Sequence, residues 1–387
     1  MMKKFLVCLL LLSVIFSASV FPLSVGALPD ITIGTPSVTA ECAVLIDASD
    51  GTVLYEKNAS QRRGMASTTK IMTALIAAEL LSDTLDIPKG IPKEAIGIEG
   101  SSVYLTEEDT LTPRQLLYAL MLASANDAAT ALAIISAGSI EEFAEAMNLR
   151  AKALGLKNTN FVNPHGLYDE EHYTTAYELA LMTSEAIKNT VVGEIVSTYK
   201  TTIPQGDNVK GRVLVNHNKL LRLYDGAIGV KTGFTKKTGR CLVSAAERDG
   251  LKLIAVTLNA PDDWNDHIKM LDFGFANYEA VTIFRVGEFK YHLSVVGGNE
   301  SYVTIANSES LTITMPKIQK RITQRVFLTQ RFCYAPVAEG SICGKIVCSV
   351  GEKRVESPLI MLYSVEKAKA KKNFFTNILS FFTDLFK

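Results

Sequence analysis

The run over residues 71–81 constrains the fold of this chain more than any other stretch. Ile71, Met72, Leu75, Ile76, Leu80 and Leu81, with alanines between them, make a helix that is apolar on nearly every side. Such a helix is stable only where other elements enclose it. Ser67-Thr68-Thr69-Lys70 stands at its head, so a hydroxyl and an amine enter the same apolar surroundings.

The neighbouring segments supply the enclosure. Residues 41–47 are strand-like, turn residues follow to Gly51, and 52–56 return as a hairpin. Pro113 opens a helix that runs to Leu122, and a second covers 127–137 and stops at Gly138. Ser139 with Glu142 spells a capping box for a third helix, ended by Gly155, and Thr175 with Glu178 repeats the box for a fourth. Residues 240–247 and 251–258 flank Asp249-Gly250, a strong hairpin signal. Hairpins thus bracket a helical middle. The expected class is α+β: one mainly antiparallel sheet, built from both ends of the domain and covered by helices, rather than a parallel doubly wound sheet.

A length of 387 residues suits two domains, and a hydrophobic content of 48% is enough for sizeable cores. From about Ala280 the segments become short, β-branched and separated by Gly, Asn or Pro, which predicts a small all-β domain ending near Ser364. In the tail, Lys367, Lys369, Lys371 and Lys372 precede Phe374, Phe375, Ile378, Leu379, Phe381, Phe382, Leu385 and Phe386 at helical spacing. This run is too short and polar to span a bilayer. It fits a helix lying in the membrane interface, with docking on the protein's own surface as the rival reading. At the other end, Lys3 and Lys4, an apolar run and Val25-Gly26-Ala27 read as a secretory signal, with an uncleaved anchor as the rival. The expected boundaries are 1–27 signal, 28–278 sheet-and-helix domain, 279–364 β domain and 365–387 amphipathic helix, with the chain exported to the outer face of the cytoplasmic membrane.

Forty basic residues balance forty acidic ones, which argues against a nucleic-acid partner. Five cysteines follow the signal, so at least one thiol is unpaired within the chain; Cys333, Cys343 and Cys348 crowd together and permit one disulfide. No spacing resembles a zinc site and the five histidines lie apart, so no metal or cofactor is expected.

Residues three apart on a helix share a face, with about 5–6 Å between β-carbons, so Ser67 and Lys70 can touch. A serine hydroxyl is a poor nucleophile until a base takes its proton. A lysine can be that base when burial and a second cation destabilise its ammonium form. The helix N-terminus also favours negative charge developing at Ser67. Alone, the pair reads more simply as a capping serine with a surface lysine. Ser124-Ala125-Asn126 falls in the turn between two predicted helices. Ser124 can relay a proton and the Asn126 amide can hold a substrate amide; a helix cap is the plainer reading. Lys231-Thr232-Gly233 opens an extended segment. Lys231 is a second cation, Thr232 a partner for a carboxylate, and Gly233 a point of close backbone approach. A strand edge is the plainer reading.

The three motifs in this order match the signature of penicillin-binding proteins and class A β-lactamases, with Ala125 where the signature has Asp. The chain resembles the serine-type D-alanyl-D-alanine carboxypeptidases, the low-molecular-mass penicillin-binding proteins, from about Thr39 to Lys372. The likeness includes Phe161-Val162-Asn163-Pro164-His165-Gly166-Leu167 and residues 225–233. It implies a β-lactamase/transpeptidase-like fold with a helical subdomain. It implies Ser67 as acyl-forming nucleophile, Lys70 as general base and Ser124 in the proton relay. Asn126, Lys231 and Thr232 would bind the peptide and its terminal carboxylate, beside Gly233, with backbone N–H groups, one from Ser67, as the oxyanion hole. Peptidoglycan stem pentapeptides would be the substrate and β-lactams the inhibitors. Two rivals remain: a β-lactamase, though no Glu between Asn126 and Lys231 sits in a matching context, and an idle wall-binding scaffold, against which the intact Ser67, Lys70 and Lys231 speak. His165 reads as a turn residue rather than a triad histidine, and Cys241 as a packed small residue.

Overall fold

The computed structural model describes residues 34–206, 210–319 and 321–369. The signal expected at 1–27 and the amphipathic run over 373–387 lie outside them.

The expected first hairpin forms from β1 (Cys42–Asp47) and β2 (Val53–Lys57). A 3₁₀ turn, Ala66–Thr69, leads into α1 (Lys70–Leu80), so the regular helix begins at the lysine rather than at Ser67. A short ribbon of β3 (Lys89–Gly90) and β4 (Thr110–Leu111) precedes α2 (Pro113–Leu122), α3 (Asn126–Ala137), α4 (Ile140–Ala153), α5 (Ala176–Lys188) and α6 (Thr190–Ser197). A second ribbon, β5 (Lys200–Ile203) with β6 (Arg212–Val215), and the single turn α7 (Leu220–Leu223) lead to three long strands. These are β7 (Ala227–Thr235), β8 (Gly239–Arg248) and β9 (Leu251–Leu258), and α8 (Asp263–Asn277) closes the unit.

The caps explain where helices start. At α2 the Thr112 hydroxyl accepts from the Gln115 N–H while the Gln115 side chain accepts from the Thr112 N–H, a complete box with Pro at the first position. The two boxes expected further on are half formed. The Ser139 and Thr175 hydroxyls accept from the N–H groups of Glu142 and Glu178. The Glu178 carboxylate turns elsewhere, accepting from the Asn158 N–H at 2.9 Å and the Thr159 hydroxyl at 2.6 Å.

The main sheet has the order β2-β1-β9-β8-β7 and is antiparallel throughout, so its middle strands come from opposite ends of this unit. Side chains alternate across a strand. Val44 and Ile46 of β1, with Ile254 and Val256 of β9, join the core built around Ile71 and Leu75 of α1. Their neighbours Leu45, Leu253 and Ala255 point the other way, against Met270 and Leu271 of α8. The result is a three-layer sandwich, and α1 is enclosed as its composition requires, with Lys70 through Ala78 all buried.

A β unit follows. β10 (Tyr278–Phe284) pairs with β13 (Leu311–Pro316). A six-stranded sheet runs β14-β16-β17-β12-β11-β15, where β11 is Lys290–Val296, β12 Tyr302–Asn307, β14 Thr323–Leu328, β15 Phe332–Tyr334, β16 Ile342–Val350 and β17 Lys353–Met361. Lys353 reaches back to Asp47 at 3.2 Å and Asp50 at 2.9 Å, tying β17 to the first hairpin. Cys333, Cys343 and Cys348 lie in the apolar core of this unit as free buried thiols, so no disulfide joins them. No helix among the described residues is long and apolar enough to cross a membrane.

Candidate active site

The site grows from the turn that enters α1. Ala66 holds φ at 48°, a left-handed conformation unusual for a residue with a β-carbon. Its carbonyl accepts from the Thr69 hydroxyl at 2.7 Å. Gly166 lies against the same carbonyl at a φ of 84°; a β-carbon there would collide with it. The turn leaves the Ser67 side chain facing a cleft and sends Lys70 inward.

Lys70 is fully buried. Its Nζ donates to Ser67 Oγ at 3.0 Å, Asn126 Oδ1 at 2.7 Å and the His165 carbonyl at 2.6 Å. Burial pushes its pKa well below the usual lysine value, and the charge of Lys231 adds to the effect while Asp127 opposes it. The three donations use all three ammonium N–H groups. Loss of a proton, which burial favours, leaves two for Asn126 and His165 and frees a lone pair toward the Ser67 hydroxyl, a base placed to take its proton.

The second cation arrives on β7. Lys231 is 2% exposed, and burial lowers its pKa to about 7. Its Nζ donates to Ser124 Oγ at 2.9 Å and to the Thr232 carbonyl at 2.9 Å. Ser124 sits between α2 and α3 at a φ of 59°, strain that aims its hydroxyl at Lys231. β7 presses closely on the Ser67 turn, since a β-carbon on Gly233 would stand 3.0 Å from the Ser67 nitrogen. Asn126 is the first residue of α3 and caps nothing. Its Oδ1 accepts from Lys70 and its Nδ2 donates to the Glu99 carbonyl at 2.5 Å, leaving one N–H of the amide beyond those bonds.

The seven site residues of the three motifs are therefore gathered here. Ser67, Ser124, Thr232 and Gly233 line a cleft of about 380 Å³, together with Lys219, Arg240 and Trp264. Lys70, Asn126 and Lys231 stand behind it. Sequence reasoning missed the two backbone acceptors, at His165 and Glu99, because every residue offers a carbonyl and nothing in a side chain marks the one that will be used. It missed Asp127, whose carboxylate takes the Ser102 hydroxyl at 2.6 Å and the Leu105 N–H at 3.0 Å and so shapes the loop before α2. The His165 ring is no base: burial, then Lys70, push its pKa down to about 3. Cys241 is buried and its thiol is pushed up to about 11, in keeping with a packing role.

A sandwich of this topology with a serine and two buried lysines at one cleft defines the penicillin-binding class of serine hydrolases. Residues 30–262 match the D-alanyl-D-alanine carboxypeptidase family, and residues 278–367 match the C-terminal domain of penicillin-binding protein 5. The chain is similar to the D-alanyl-D-alanine carboxypeptidase DacF of Bacillus subtilis, at 34% identity over 85% of this chain and 86% of that protein. It is also similar to DacC of Escherichia coli, at 33% over 87% and 86%. Penicillin-binding protein 5 from Haemophilus influenzae superimposes with a TM-score of 0.71 at 29% identity, covering 87% of this chain and all of that one. The chain belongs to the D-alanyl-D-alanine carboxypeptidase family. It is a hydrolase with that family's carboxypeptidase activity.

Proposed function

We propose that the enzyme removes the terminal D-alanine of peptidoglycan stem pentapeptides through an acyl-enzyme on Ser67. The carrying observation is the 3.0 Å contact between Ser67 Oγ and the fully buried Lys70 amine. Lys70 takes the hydroxyl proton as Oγ attacks the carbonyl carbon of the penultimate D-alanine. Backbone N–H groups beside Gly233, that of Ser67 among them, hold the oxyanion. Ser124, bonded to Lys231, passes a proton to the leaving D-alanine nitrogen as the C–N bond breaks. Water then hydrolyses the ester. Asn126 holds the peptide amide, and Lys231 with Thr232 holds the terminal carboxylate. A β-lactam opens on Ser67 by the same attack but keeps its leaving amine tethered, so the acyl form persists.

The test is intact mass measurement after incubation with a pentapeptide and, separately, with penicillin. The expected results are loss of one alanine from the peptide and one penicilloyl adduct on wild type, absent in Ser67→Ala. An adduct that survives in Ser67→Ala, or rapid turnover of penicillin, would overturn the reading.

The catalytic domain is assigned to 28–278 and the β domain to 279–364, after an export signal at 1–27. The lysine and phenylalanine pattern of 365–387 supports attachment to the outer face of the membrane. Deleting 373–387 is expected to release the enzyme from membranes with hydrolysis of a soluble peptide intact. Retention of the truncated form in the membrane fraction would defeat this assignment.

A further inference from the structure

We infer that His172 is a positioning residue for the oxyanion donor, acting through Thr69 on the peptide bond that joins Ala66 to Ser67. This rests on the reading of Ser67 given above. His172 lies on the loop between α4 and α5, is 3% exposed and does not line the active-site cleft. Its Nδ1 faces the Val162 N–H at 3.1 Å, which can only donate, so Nδ1 carries no proton. In the neutral ring the proton is then on Nε2, which stands 2.7 Å from Thr69 Oγ1. Burial keeps the ring neutral, with a pKa near 4. The Thr69 hydroxyl, having accepted from the ring, donates to the Ala66 carbonyl at 2.7 Å. A chain of fixed polarity thus runs from Val162 through His172 and Thr69 to the carbonyl of Ala66.

That carbonyl shares one planar unit with the Ser67 N–H, and in a trans peptide the two point in opposite directions. Holding the oxygen toward Thr69 turns the Ser67 N–H toward Gly233, whose added β-carbon would stand 3.0 Å from that nitrogen, on the side where the cleft opens. Ala66 sits in a left-handed conformation that a residue with a β-carbon rarely adopts, so the turn carrying this peptide is strained and is held by its surroundings. Phe161, edge-on to the His172 ring at 5.7 Å between centroids, fixes the plane of the imidazole.

Four variants of the full enzyme separate positioning from packing. Thr69→Val deletes the relay and keeps the shape, and Thr69→Ser restores the hydroxyl. His172→Gln keeps a donor for Thr69, while His172→Asn keeps only an acceptor for Val162. The readouts are kcat and KM on a D-Ala-D-Ala peptide, the second-order rate of acylation by penicillin, and Tm. Thr69→Val and His172→Asn are expected to lose roughly tenfold or more in kcat and acylation rate, less than the full removal of an oxyanion donor, with KM little changed. Thr69→Ser and His172→Gln are expected to recover most of that loss. Equal losses in the paired variants would overturn the inference, as would losses that follow Tm or fall on KM alone. Wild type that forms no adduct on Ser67 would instead overturn the parent reading, and the inference with it.

Discussion

Lys70 and Lys231 each lack the solvent that normally keeps a lysine charged, and the charge of Lys231 further weakens the hold of Lys70 on its proton. The consequence can be measured. Lys231→Met removes a neighbouring positive charge, so Lys70 holds its proton to higher pH. The acid limb of the penicillin acylation profile is therefore expected to move to higher pH in Lys231→Met, whatever happens to the maximal rate. A limb that stays in place, or moves down, would show that the two amines are uncoupled. At this scale the sequence was highly legible. A serine, a lysine and a second lysine in recognisable settings mark their chemistry by side-chain type. The backbone acceptors at His165 and Glu99 carry no such mark, and neither does the relay through His172.

At the scale of elements, Pro113 announced α2, and Ser139 and Thr175 announced α4 and α5, because a hydroxyl at the N-cap answers a local need for hydrogen bonds. Helix α8 was not announced, since its apolar residues are interrupted by Asp, Asn and Gly. The unbroken apolar run of β1 was the available signal: a strand buried on both faces needs a layer on each. The ribbon β5–β6 is held by an element-scale contact that no pattern foretold. Arg212 on β6 grips Asp109 with two prongs, at 2.6 and 2.9 Å, and also donates to the carbonyls of Tyr104 at 3.0 Å and Pro204 at 3.1 Å. Asp109 is 1% exposed. Arg212→Met would strand its carboxylate, so a loss of about 3–5 kcal/mol is expected in urea melts. A loss under about 1 kcal/mol would mean that water reaches the carboxylate and the pair is ordinary.

The whole molecule carries the cost of its two buried amines. In the unfolded chain lysines hold protons to about pH 10.4, while in the folded protein Lys231 titrates near 7 and Lys70 also lies low. Between those limits the unfolded state binds more protons, so these groups make stability rise with pH. Relative to Lys231→Met, wild type is expected to gain up to about 1.4 kcal/mol per pH unit from pH 7 to 10. A pH-independent difference would contradict a depressed Lys231. Sequence by itself determined that α1 must be buried, that hairpins bracket a helical middle, and which side chains can do chemistry. Each follows from local periodicity, turn residues or side-chain type. Only the tertiary structure decided that β7 runs beside the Ser67 turn, that α8 covers the second face, and that Lys70 points at a carbonyl from a distant loop. Those contacts join residues far apart in the chain, and their energies depend on the desolvation that packing alone creates.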